Sequence, residues 1–137
     1  MWPPACEYMN LEKALSNFLN AGLTAHREGR LEEAARAYLQ VLREAPGNYD
    51  ALQLLGMLRH QQGRMPEAAE LLEKALAVRP GNTGTLNALA AVLLAGGNAG
   101  GAAEKAHAAL AKNPQDPQAL YTLGGAQRML GRFEEAG

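Results

Sequence analysis

The chain has 137 residues, of which 47% are hydrophobic and 20% charged, enough to bury a core and too apolar for a disordered segment. Thirteen Lys and Arg against fourteen Asp and Glu leave a net charge of -1, which gives no electrostatic drive toward nucleic acid or an anionic membrane surface. One cysteine, Cys6, excludes an internal disulfide and a cysteine-based zinc knuckle and suits a reducing cytoplasm, the expected location.

Residues 1–10 are expected to be a loosely ordered lead-in, followed by a helical array over 11–137. Met1 to Glu7 carry no basic segment followed by an apolar run, so no signal peptide is expected. The longest strongly apolar stretch, Ala88 to Ala95, is too short to span a bilayer. Alanine and leucine dominate and β-branched residues are few, which points to helices.

Asn10 is placed to cap a helix from Leu11, with Leu11, Leu15, Phe18 and Gly22 on one face. Gly29 closes it, since glycine enters the left-handed conformation cheaply. Arg30 to Leu42 then reads as an amphipathic helix with Ala34, Tyr38, Val41 and Leu42 on one side. Pro46 ends it, and Asn48 stands where the next helix needs a cap. The same order recurs: a helix closed by Gly63, a second opened by Pro66 and ended by Pro80, then Asn82 as a cap. The third round carries Gly96-Gly97-Asn98-Ala99-Gly100-Gly101, with two glycines where a helix should begin, each costing about 1 kcal/mol against alanine. This connection is expected to be the most mobile. Asp116-Pro117 opens a last helix expected to run to about Leu130, and Gly131 is expected to close it.

These signals repeat at one spacing. Pro46, Pro80 and Pro114 lie 34 residues apart, as do Gly29, Gly63, Gly97 and Gly131. So do Ala34, Ala68, Ala102 and Ala136, and Leu42, Leu76 and Leu110. Gly22, Gly56, Ala90 and Gly124 form a fifth column of small residues that lets paired helices approach closely. Three complete units are expected at 15–48, 49–82 and 83–116, with a partial fourth at 117–137. A single helix pair cannot cover its apolar face, so neighbouring pairs must stack.

The chain resembles the tetratricopeptide repeat (TPR) family. The matching segments are Leu52-Gln53-Leu54-Leu55-Gly56, Gln62-Gly63-Arg64-Met65-Pro66-Glu67-Ala68-Ala69 and Glu73-Lys74-Ala75-Leu76-Ala77-Val78-Arg79-Pro80-Gly81-Asn82. They recur as Gly29-Arg30-Leu31-Glu32-Glu33-Ala34-Ala35 and Gly131-Arg132-Phe133-Glu134-Glu135-Ala136. The family's early aromatic is Phe18 in the first unit and becomes Leu52, Leu86 and Leu120 in the others. The resemblance implies an all-α solenoid of stacked antiparallel helix pairs and a non-catalytic scaffold for protein–protein interaction.

It also implies that the first helix of each pair lines a concave groove that takes a peptide or a partner segment. Carried over by position, the lining is Leu19, Leu23 and His26, then Asp50, Gln53, Met57 and His60, then Asn87, Ala91 and Leu94, then Tyr121 and Arg128. Some family members grip a terminal carboxylate with Lys, Arg and Asn. The corresponding places here hold Leu19, Leu23, Leu54, Gly84 and Ala88, so that mode is not expected.

No catalytic chemistry is legible. His26, His60 and His107 fall in no metal-ligand spacing, and Ser16 is the only serine. Glu32-Glu33 and Glu134-Glu135 sit in first turns, where negative charge offsets the helix dipole. Gly96 to Gly101 lack the Lys-Ser/Thr pair of a phosphate loop. No cofactor or metal is expected. His26 and His60, one repeat apart, are either groove contacts or ordinary helix-surface residues.

Gly137 falls one turn into the second helix of the fourth unit, with Leu120, Leu123 and Leu130 on the helix before it. Two alternatives to a peptide-binding scaffold follow. One is the front portion of a larger glycosyltransferase or sulfotransferase. The other is a self-assembly module, a homodimer formed through Leu120, Leu123 and Leu130.

Overall fold

The computed structural model describes residues 5–136, with side chains from 11 to 131. The described residues form seven α-helices and no strand: α1 Ala5–Arg27, α2 Leu31–Glu44, α3 Tyr49–Gln61, α4 Met65–Val78, α5 Thr83–Ala95, α6 Ala99–Lys112 and α7 Pro117–Ala136. The pairs α1–α2, α3–α4 and α5–α6 pack face to face, and each pair then packs on the helix that follows it. Contacts also run from α3 to α5 and from α5 to α7, so the first helices of successive pairs lie side by side. The architecture is an all-α helical repeat solenoid.

Each turn within a pair uses a glycine the same way. Gly29, Gly63 and Gly97 have φ of 81°, 78° and 89°, where an L side chain is strained. The residue after each glycine donates its amide to a carbonyl five residues back: Arg30 to Ala25, Arg64 to Arg59 and Asn98 to Leu93, all at 2.8 Å. Each glycine amide also reaches the carbonyl three residues earlier, which completes a Schellman closure. Between pairs, Ala45, Arg79 and Asn113 precede the prolines at φ −137°, −129° and −138°. That extended backbone is what a following proline imposes. Asn48 and Asn82 then cap α3 and α5 by accepting from the amides of Ala51 and Thr85 at 3.0 and 3.1 Å.

The core runs within pairs and across the joints between them. Tyr38 packs with Ala25, Ala34 and Ala35 of its own pair and with Leu55 and Leu58 of α3. Ala68 and Leu72 of α4 meet Leu89 and Val92 of α5. Leu86 meets Ala109 and, across the next joint, Ala119. Leu55, Leu58, Leu72 and Leu89 are nearly or wholly excluded from water, each worth about 1.5–3 kcal/mol by area. No pair completes its core alone, which is why the units stack. The column of small residues allows the close approach. A Cβ built at Gly22 would stand 2.5 Å from Cε1 of Tyr38, and one at Gly56 would stand 2.8 Å from Cγ of Leu72.

Both ends depart from the sequence reading. Residues 5–10 belong to α1, which begins at Ala5, so Asn10 lies inside a helix rather than at its start. The run from Ala5 to Leu15 holds no glycine or proline, so nothing local stops the helix at Asn10. At the other end, α7 continues through Gly131 to Ala136. The left-handed closures at Gly29, Gly63 and Gly97 each turn the chain into a helix that packs back on its predecessor. Gly131 instead stays inside α7, which costs only about 1 kcal/mol for a helical glycine. The expectations placed on residues 1–4 and on the side chains of Cys6 and Ala136 lie outside the described residues.

The glycine-rich third turn is better organised than its composition suggests. The Asn98 side chain accepts the amide of Gly101 at 2.9 Å and caps α6, whereas α2 and α4 have no side-chain cap.

Candidate functional site: a groove lined by the first helix of each pair

Two cavities open along the face made by α1, α3, α5 and α7. The larger, about 370 Å³, lies between α1 and α3 and is lined by Ser16, Leu19, Asn20, Leu23, Asp50, Gln53 and Leu54. The second, about 260 Å³, is lined by His26, Met57, His60, Gln61, Ala88, Ala91 and Gln118. It draws on α1, α3, α5 and α7 together. Every lining residue of both cavities belongs to the first helix of a pair or to α7. A smaller hollow of about 170 Å³ lies elsewhere, between α4 and α5, and includes Met65, Pro66 and Leu93.

The side chains at these cavities are held by joints between pairs. Gln53 Oε1 accepts from the hydroxyl of the fully buried Thr85 at 3.1 Å. The same Thr85 hydroxyl is hydrogen-bonded to the phenol of Tyr49. The Arg79 guanidinium stacks 4.3 Å above the Tyr49 ring. In the second cavity, His26 lies 3.3 Å from the Tyr38 hydroxyl through Nδ1 and hydrogen-bonds Gln61 through Nε2. Burial pushes the Tyr38 phenol up from its ordinary value. His26, Met57 and His60 therefore line one cavity, and Met57 is 42% exposed and free to adapt.

Eight of the twelve groove residues expected from sequence line one of these two cavities: Leu19, Leu23, Asp50 and Gln53 in the first, His26, Met57, His60 and Ala91 in the second. The other four do not. Asn87 is 6% exposed and donates Nδ2 to Asp116 Oδ2 at 2.8 Å, joining α5 to the start of α7. Leu94 packs against the cluster of Ala99, Ala102 and Ala126. Tyr121, 75% exposed, and Arg128 sit on α7 outside both cavities, where Gln118 takes the place given to them. Ser16, Asn20 and Gln61 line the groove without having been singled out. Ser16 and Asn20 each stand three residues before a predicted lining leucine, so helical spacing places them on that face.

Of the residues given to self-association, Leu120 is 50% and Leu130 38% exposed, while Leu123 is half-buried. A Cβ at Gly124 would meet nothing within 4 Å, unlike one at Gly22 or Gly56. Among the described residues, no group of three or more His, Cys, Asp or Glu side chains is placed to hold a metal ion. No helix among them is long and apolar enough to cross a membrane.

A solenoid of helix pairs closed by glycine and separated by proline, with its first helices side by side, defines a class of repeat protein. The tetratricopeptide repeat family profile matches residues 19–83 and again 93–137, and the chain belongs to that family. A search of curated proteins found no match. Among solved structures, an O-GlcNAc transferase of Thermobaculum terrenum is 33% identical, with a TM-score of 0.76, over 85% of this chain and 22% of the transferase chain. This chain thus spans about a fifth of that protein. The MamA protein superposes with a TM-score of 0.83 at 23% identity, over 91% of this chain and 68% of its own. The first TPR of Spaghetti, bound to an HSP90 peptide, gives 0.83 at 16% identity, over 87% of this chain and 94% of its own. These last two likenesses show the fold alone.

Proposed function

We propose that the protein is a scaffold that binds an extended peptide or partner segment in the groove along α1, α3, α5 and α7. One observation carries the reading: two cavities in series, both lined by the first helices of the pairs, that combine apolar floors with amide, imidazole and carboxylate groups. Leu19, Leu23 and Leu54 offer apolar contact, Gln53, Gln61 and Gln118 offer hydrogen bonds to a peptide backbone, and Met57 adapts to the side chain it meets. The Spaghetti TPR, which shares the fold, is bound to an HSP90 peptide. Among the described residues the lining contains no Lys or Arg, so a terminal carboxylate would find no such cation there. The expected chemistry is recognition by shape and mixed contacts, with no bond made or broken.

Affinity capture of partners with the intact chain tests this. Met57→Glu, at an exposed position, is expected to abolish capture while leaving the helical signal unchanged. Capture that survives Met57→Glu counts against the groove.

The uncovered face of α7 supports a second reading, self-association through Leu120, Leu123 and Leu130. It predicts a particle size that falls on dilution and a monomer on Leu123→Glu. A strict monomer at every concentration ends it.

A further inference from the structure

We infer that the cavity between α1 and α3 receives a basic side chain of the partner, with an apolar side chain beside it. The inference rests on the groove reading above and adds the charge class of the occupant. Among the described residues, Asp50 is the only ordinarily ionised one lining either groove cavity. It is exposed, and it takes no part in the ion pairs found among the described residues, which use Glu28, Glu33, Glu67 and Glu70. It stands in the first turn of α3 and lines the cavity. One turn before Ser16 on α1, the exposed Glu12 and Lys13 oppose each other, so Asp50 sets the sign of the field.

The other groups around the cavity fit the same occupant. The Ser16 hydroxyl and the Asn20 amide oxygen can accept from an ammonium or guanidinium that reaches Asp50. Gln53 already spends its oxygen on Thr85, so its amide nitrogen is left to donate to a partner carbonyl. Leu19, Leu23 and Leu54 form an apolar floor suited to a lysine stem or a neighbouring leucine. The volume, about 370 Å³, falls within the usual range for a specific pocket. An acidic segment would bring like charge to Asp50 and find no cation in the lining.

A random peptide display library, selected on the intact chain at low salt, tests this directly. The expected enrichment is Lys or Arg next to Leu, Ile or Met. Fluorescence anisotropy on the selected peptides should then show affinity weakened about tenfold or more by Asp50→Asn, as for loss of a charged hydrogen bond. Asp50→Glu should keep most of it, and rising salt should weaken it. Circular dichroism would establish that Asp50→Asn remains folded. Enrichment of acidic or uncharged sequences, or affinity indifferent to Asp50→Asn, overturns the inference. Peptides that lose binding on Met57→Glu but ignore Asp50→Asn leave the groove reading intact and remove only this inference. Peptides indifferent to both changes, or a selection that enriches nothing, count against both.

Discussion

The carboxamide of Asn87 donates to the carboxylate of Asp116 at 2.8 Å, tying α5 to the residue that caps α7. The same carboxylate accepts the backbone amides of Gln118 and Ala119 at 3.1 and 3.3 Å through its other oxygen. One side chain therefore caps a helix and joins two units. The Asn87 bond, with help from these amides, holds the Asp116 carboxyl below its ordinary value of 3.8.

The sign of the pH dependence follows. The folded state favours the ionised Asp116, so the contribution is full above the ordinary carboxylate value and is lost as pH falls through the lower folded value. Asp116→Ala should lower Tm at neutral pH and flatten the fall of Tm on the acid side, below about pH 4. Thermal unfolding across that range checks it, and an acid limb unchanged by the substitution contradicts it.

Three glycines of one column should respond differently to a methyl group. Gly22→Ala drives a carbon into the buried Tyr38 ring and Gly56→Ala into Leu72, so each should cost about 1–3 kcal/mol. Gly124→Ala meets open space on a helix and should stabilise by about 0.5–1 kcal/mol. Urea unfolding of the three variants reads both signs.

The glycine column and the proline column were legible because each turn needs one backbone conformation that few residues supply. Gly29, Gly63 and Gly97 take positive φ, and the residues before Pro46, Pro80 and Pro114 are extended. The lining expected from the family resemblance, carried over by position, includes Leu19, Leu23, Asp50, Gln53, Met57 and His60, which line the two cavities. Asn87 lies outside both cavities, because a position carried over from the family does not report that Asp116, 29 residues away, claims its side chain. Gly131 was misread because a glycine can also remain inside a helix, at a cost of about 1 kcal/mol, and a local pattern does not tell the two roles apart.

Thr85 offers a test of how the groove is held. Thr85→Val removes a buried hydroxyl shared with Tyr49 and Gln53 and should cost about 1–3 kcal/mol. It should also weaken ligands of the first cavity, because Gln53 loses the bond that orients it. Thr85→Ser should restore most of both. Paired stability and binding measurements separate this from a purely structural effect, in which affinity would not change.

The third turn carries its own contrast. Gly100→Ala is exposed with nothing within 4 Å and should stabilise by about 0.5–1 kcal/mol. Gly101→Ala presses a carbon to 2.8 Å from the Asn98 amide and should disturb the cap that organises the turn. Hydrogen exchange at α6 would show protection rising in the first variant and falling in the second.

The hydroxyl bridge from Tyr49 to Thr85 has no counterpart one unit away in either direction, where the same positions hold Leu15 with Ala51 and Thr83 with Ala119. The Asn87–Asp116 bond is equally local, its counterparts being Leu19 with Asn48 and Gln53 with Asn82. The modules are thus keyed by private contacts to their own neighbours. Shuffling or duplicating one of them would keep the 34-residue rhythm but strand a buried phenol or amide at the new seam. Serial order in this array is specified by chemistry that the periodic pattern does not contain.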